Sequence, residues 1–172
     1  MSTFSITYPW LCAVCSLDSK LFTQELARHK LLYDVTSKRG SPRLLNWDQA
    51  MRLQVYLYLR RAGLEPALAA EAAVFVKDYS NHYGSRDVPM CNPHTQLQTY
   101  LDTFTKRILL VKIGNTSVSI ERPYIADVQS YDVITSMQMF SHSAAFAVPL
   151  HGCAEQCAEI YFQEHNQHWN EA

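Results

Sequence analysis

The sequence predicts an α+β protein: a mostly helical N-terminal unit carrying one β-hairpin, followed by a small mixed unit of helices and strands. Three observations lead there. Four short helical stretches precede residue 79. Between the second and third lies a Gly/Pro/Ser loop flanked by two extended stretches. Beyond residue 93 a helix gives way to apolar, strand-like runs and then to a last helix.

The first helix is expected at Tyr8–Val14, with Pro9 suited to its first turn. A break follows at Cys15-Ser16-Leu17-Asp18, where Ser16 or Asp18 caps the next helix. In that helix Leu21, Phe22 and Leu26, with Leu31 and Leu32 beyond, give the apolar three- and four-residue spacing. Its other face carries Lys20, Thr23, Gln24, Arg28 and Lys30. Two extended stretches, Leu32–Val35 and Arg43–Leu45, flank Thr36-Ser37-Lys38-Arg39-Gly40-Ser41-Pro42 and read as a hairpin with a basic tip. Asn46 or Asp48 opens a largely apolar helix to Ala62, closed by Arg60, Arg61 and Gly63. An alanine-rich helix, Glu65–Asp78, completes the unit.

Residues 79–93 turn to Ser, Asn, His, Gly and Pro and are expected to be a linker between a 1–78 domain and a 94–172 domain. The second domain is read as a helix at Thr95–Thr105 and a hairpin of Ile108–Ile113 and Ser117–Ile120 about Gly114-Asn115-Thr116. Val128–Met139 fits helix or strand, Ser143–Leu150 a buried strand, and Cys153–Gln163 a helix.

Charge separates the two parts. Met1–Leu64 holds nine Lys/Arg against four Asp/Glu, and Glu65–Ala172 six against twelve, although the whole chain is only −1. A basic first part facing a polyanion is one reading of this asymmetry. No run reaches the roughly 18 to 20 apolar residues that cross a bilayer. Met1–Tyr8 has no basic residue ahead of an apolar stretch, so a cytoplasmic protein without a membrane anchor is expected.

Two short helices joined by a tight turn, the second basic on its outer face, is the arrangement of a helix-turn-helix. The recognition helix buries one side and offers donors to base edges and phosphates with the other. With the following hairpin as a wing, the N-terminal unit is expected to be a winged helix-turn-helix. Lys20, Thr23, Gln24 and Arg28 then face the groove, while Lys38, Arg39 and Arg43 lie along the phosphate backbone.

The order helix, turn, helix, basic hairpin, helix, helix resembles the MerR-like winged-helix family over Ile6–Val76. The stretch that carries the resemblance is Arg43-Leu44-Leu45-Asn46-Trp47-Asp48-Gln49-Ala50-Met51-Arg52-Leu53, then Leu57–Gly63 and Leu64–Ala70. Two departures stand out. The second helix has Phe22-Thr23-Gln24 where the family pairs aromatics after an arginine, and the chain has no long coiled-coil helix for dimerisation. The resemblance implies binding of double-stranded DNA.

Five cysteines spread along the chain do not look like a disulfide framework. Cys12 and Cys15 form a CxxC pair, read as small buried apolar residues rather than as zinc ligands. His151, Cys153, Cys157, His165 and His168 form a second group, read as an ordinary helix packing its thiols rather than as a soft-metal site. No phosphate loop, HExxH or GxSxG is present; a thiol enzyme using Cys91 or Cys153 with a histidine is the weaker alternative. No cofactor, no metal and no catalytic residue is expected. The sequence therefore reads as a DNA-binding transcription regulator of bacterial or phage type. It is expected to act as a homodimer whose acidic C-terminal domain meets itself, a protein partner or a small ligand. The alternative is a protein-interaction adaptor that never touches DNA.

Overall fold

In the computed structural model, residues 4–32, 41–83, 93–112, 124–127 and 145–165 are described. The chain enters through a two-residue strand, β1 (Ile6–Thr7), directly followed by α1 (Tyr8–Val14), with Pro9 in its first turn. The next helix, α2 (Ser19–Arg28), starts at Asp18, whose carboxylate accepts from the backbone N–H groups of Lys20 and Leu21. Of the two candidate caps, Asp18 takes the role. β2 (Leu44–Leu45) then pairs antiparallel with β1, Ile6 opposite Leu45 and Thr7 opposite Leu44.

Asn46 opens α3 (Trp47–Arg61) with a full capping box: its side chain accepts from Gln49 N–H, and the Gln49 amide oxygen accepts from Asn46 N–H, both at 2.9 Å. α4 spans Pro66–Tyr83 and α5 spans Pro93–Phe104. The strands β3 (Arg107–Lys112), β4 (Tyr124–Asp127) and β5 (Ala145–Pro149) form an antiparallel sheet with β3 in the middle. Leu109 lies opposite Ile125 on one side and Val148 on the other. The last helix, α6 (Leu150–Glu164), leaves β5 without an intervening loop. Mixed helices and small antiparallel sheets make this an α+β protein.

Several elements differ from the sequence reading. Leu21 stands 65% exposed rather than packing with Phe22 and Leu26. Leu32 is a buried turn residue rather than the start of a strand, and the described partner of Leu44–Leu45 is the N-terminal Ile6–Thr7. The rest of the expected wing, residues 33–40 with Lys38 and Arg39, lies outside the described residues. The alanine-rich helix runs on to Tyr83, through the first part of the stretch expected as a linker. Ser117–Ile120, the turn at 114–116 and Val128–Met139 also lie outside the described residues.

Three helix ends share one backbone device. After α1, Ser16 N–H bonds Ala13 O and Leu17 N–H bonds Cys12 O; after α2, Lys30 N–H bonds Ala27 O and Leu31 N–H bonds Leu26 O. After α3, Gly63 N–H bonds Arg60 O and Leu64 N–H bonds Leu59 O. These are Schellman closures, and the residue after each cap is left-handed: Ser16 at φ 55°, Lys30 at 53°, Gly63 at 93°. A leucine follows each of them and returns to the core.

The core is centred on α3, which is buried along most of its circumference from Trp47 to Leu59. Small residues let its neighbours approach closely: Ala69, Ala70, Ala72 and Ala73 on α4, and Cys153, Ala154, Cys157 and Ala158 on α6. One cluster of buried apolar side chains runs from Phe4 through α3 to Phe162. The two ends of the described chain meet within it. Phe4 stacks on Tyr161 at 4.8 Å and meets Trp47 edge-on at 5.2 Å. Thr7 donates to the Glu164 carboxylate from its backbone N–H at 3.0 Å and from its hydroxyl at 2.6 Å, and Trp10 Nε1 donates to Ile160 O at 3.3 Å.

Candidate nucleic-acid interface

A helix turns about 100° per residue, so positions four apart drift slowly around one face. On α2 this places Lys20, Gln24 and Arg28 together, all three exposed, with Leu21 and Ala27 completing the same outward arc. Phe22 and Leu26 point the other way and are buried. Thr23 and Glu25 occupy the two borders between these faces and are half-buried.

Both border residues are engaged inside the protein. Thr23 Oγ1 lies 2.6 Å from Ser19 O, one turn back on its own helix, and 3.1 Å from the Tyr8 hydroxyl of α1, so its single proton is shared between these two acceptors. Of the expected groove-facing residues, Thr23 is therefore placed as an anchor of α2 against α1. Burial pushes the Tyr8 phenol above its ordinary range, while the Thr23 bond and the charge of Arg43 pull the other way. On the opposite border the Glu25 carboxylate accepts from the Tyr56 hydroxyl and from Arg60 Nε at 3.3 Å. Arg60 also donates to Leu64 O at 2.7 Å. Burial first, and then the Glu25 carboxylate, raise the Tyr56 phenol, so it stays a donor. Behind α2, the fully buried Arg52 donates from Nη1 to Leu31 O at 2.9 Å, fixing the turn that ends the helix.

Arg43 is half-buried at the start of β2, and its carbonyl accepts from Tyr8 N–H at 2.8 Å. The structure thus brings together Lys20, Gln24 and Arg28 and sets Arg43 beside the α1 start. Lys38 and Arg39 lie outside the described residues. Sequence reasoning missed Leu21 as a member of the outward arc, because its apolar side chain was assigned to the core. It also missed Glu25, Tyr56 and Arg60 as the clamp. Their spacing on two helices carries no signal in the sequence, because only the packing of α2 beside α3 brings them together.

Three of the four described thiols are packed rather than poised. Cys12, Cys153 and Cys157 are buried, and burial pushes Cys153 up to about 12 and raises Cys157 well above its ordinary value. A thiol so held is a poor nucleophile and a poor metal ligand. Among the described residues no three of His, Cys, Asp and Glu gather to hold a metal ion. His165 stacks on Tyr161 at 4.3 Å, and His151 lies 3.3 Å from Glu155. Cys91 and His168 lie outside the described residues.

A concavity lies between α1, α3 and α6. It has a volume of about 190 Å³ and is lined by Cys15, Gln54, Arg61, Gln156, Glu159 and Gln163, with Val14 and Ile160 as its apolar wall. Among the described residues no helix is long and apolar enough to cross a membrane. No protein-family model matches this chain, and no curated protein is similar to it at a significant level.

Proposed function

We propose that the protein is a sequence-specific transcription regulator that binds double-stranded DNA through α2. The observation that carries this reading is the outward arc of Lys20, Gln24 and Arg28 on a capped helix whose opposite face is buried. The short α1, the tight turn and α2 together have the helix-turn-helix order. The clamp from Glu25 to Tyr56 and Arg60 holds α2 at a fixed angle to α3. A recognition helix must be rigid to read base edges, since donors placed loosely lose their discrimination. Lys38, Arg39 and Arg43 are proposed to meet the phosphate backbone as the basic residues of a wing, as the resemblance to the MerR-like family implies. A homodimer reading two half-sites supplies the specificity that one small module lacks.

The two parts of the interface use different chemistry. Phosphate contacts carry no sequence information, so Lys38→Ala with Arg39→Ala weakens all duplexes alike and lowers the salt slope by roughly two. Gln24→Ala or Arg28→Ala costs about 1–3 kcal/mol on the preferred duplex and much less on scrambled DNA. Salt titrations of these variants on both duplexes test the reading. Equal behaviour of wild type and both variants overturns it.

Leu21 supports a second reading. It is 65% exposed on the same face, which suits a protein partner as well as a thymine methyl. In the adaptor reading Leu21→Ser abolishes partner capture, and DNA has no effect on the chain.

A further inference from the structure

We infer that the cavity between α1, α3 and α6 is a binding site for a small zwitterion, a free α-amino acid. The inference is independent of whether α2 binds DNA. At about 190 Å³ the cavity falls below the roughly 300–1,000 Å³ that takes drug-sized ligands, so its occupant is a small molecule. Its lining is polar and carries one charge of each sign, Arg61 from the end of α3 and Glu159 from α6.

Among the described residues neither of these charges sits in an ion pair. An anion alone meets Glu159 unfavourably and a cation alone meets Arg61 unfavourably. A ligand bearing both charges satisfies the two. The Arg61 guanidinium offers a fork of N–H donors that suits a carboxylate, and the Glu159 carboxylate accepts from an ammonium. Gln163 Nε2 donates to Glu159 Oε1 at 3.4 Å and steadies that acceptor.

The floor of the cavity is built rather than incidental. Gln54 is 3% exposed, one of three buried polar side chains on α3 beside Gln49 and Arg52. Its Nε2 donates to Cys15 Sγ at 3.6 Å, a weak acceptor for a buried donor. A buried amide held this way is costly without a better partner, and a polar ligand supplies one. Val14 and Ile160 provide the apolar wall against which a ligand side chain packs. Gln156 and Gln163 lie on the same face of α6 at the rim.

The test is calorimetric titration of the full chain, without DNA, with each of the common free L-α-amino acids up to about 10 mM. At least one binds saturably, and its N-acetyl and carboxamide derivatives, each lacking one charge, bind at least about tenfold more weakly. Arg61→Gln and Glu159→Gln each weaken binding by a similar factor, while thermal stability is unchanged because both side chains are on the surface. The bound amino acid also slows alkylation of Cys15 by iodoacetamide, read by mass spectrometry at that residue. Absence of binding by every amino acid overturns the inference. So does binding that survives in both variants, or binding that leaves Cys15 alkylation unchanged.

Discussion

Ser16, Lys30 and Gly63 hold the same left-handed position after three successive helices, yet only one is glycine. An L-residue in that region costs about 1–2 kcal/mol; glycine, without a Cβ, avoids that strain, but recovers only part of it because its more flexible unfolded chain loses more entropy on folding. Ser16→Gly and Lys30→Gly should each stabilise the protein by about 0.5–1 kcal/mol. The reverse change is Gly63→Ala. A Cβ built on Gly63 finds no atom within 4 Å, so its cost is backbone alone, about 1 kcal/mol. For a chain of this size each kcal/mol shifts Tm by about 2–4 °C. Urea unfolding with unchanged slope, together with Tm, gives the three values on one scale. Gly63→Ala with no loss, alongside Ser16→Gly and Lys30→Gly with no gain, refutes the assignment of these helix ends. None of the three positions is among the proposed base-reading residues, and Ser16→Gly and Gly63→Ala leave the charge of the basic face unchanged.

Further expectations follow from the clamps and the buried acids. Tyr56→Phe should cost about 1–2 kcal/mol by leaving the Glu25 carboxylate with one partner fewer, and Glu25→Ala should cost at least as much, both read by urea denaturation. Glu164→Ala removes the acceptor of both Thr7 bonds and should cost about 1–2 kcal/mol, with thermolysin cleavage near the N-terminus as a second readout. Raised acid groups also set an alkaline limit. Cys153 and Cys157 ionise near 9 when unfolded but stay protonated in the fold, so the native state binds more protons above that pH and stability falls. Full stability is kept below pH 9 and lost progressively toward about 12, where Cys153 itself ionises. Tm measured from neutral to alkaline pH should drop, and less so in a Cys153→Ala, Cys157→Ala variant.

Local signals are legible in the sequence where they are self-contained. Tyr8–Val14 is a helix at the expected bounds, Asp18 and Asn46 cap as their residue types favour, and the strand before α6 lies within the stretch assigned to it. Non-local pairing was not legible. Leu44–Leu45 carries nothing that distinguishes Ile6–Thr7 from a nearby hairpin partner, and period-2 apolar residues suit either. The burial of Arg52 was equally hidden, because its reason is the Leu31 carbonyl supplied by another element. At the candidate interface the exposed basic and amide residues of α2 could be read from spacing. The inward turn of Thr23 could not, since a threonine at the border of two faces bonds whichever group comes near, and here Ser19 and Tyr8 do.

The central proposal is that α2 reads DNA with Lys20, Gln24 and Arg28. The direct measurement selects a preferred duplex from a randomised pool with the full chain, then follows binding by fluorescence anisotropy across a salt series. Wild type is compared with the triple variant Lys20→Ala, Gln24→Ala, Arg28→Ala. All three side chains are exposed, so the variant keeps its fold and its Tm. The proposal predicts an enriched sequence bound at least about 10³-fold more tightly than scrambled duplex, with log K falling linearly in log salt. It further predicts that the triple variant loses this discrimination. A pool that yields no enriched sequence, or a triple variant that discriminates like wild type, contradicts it.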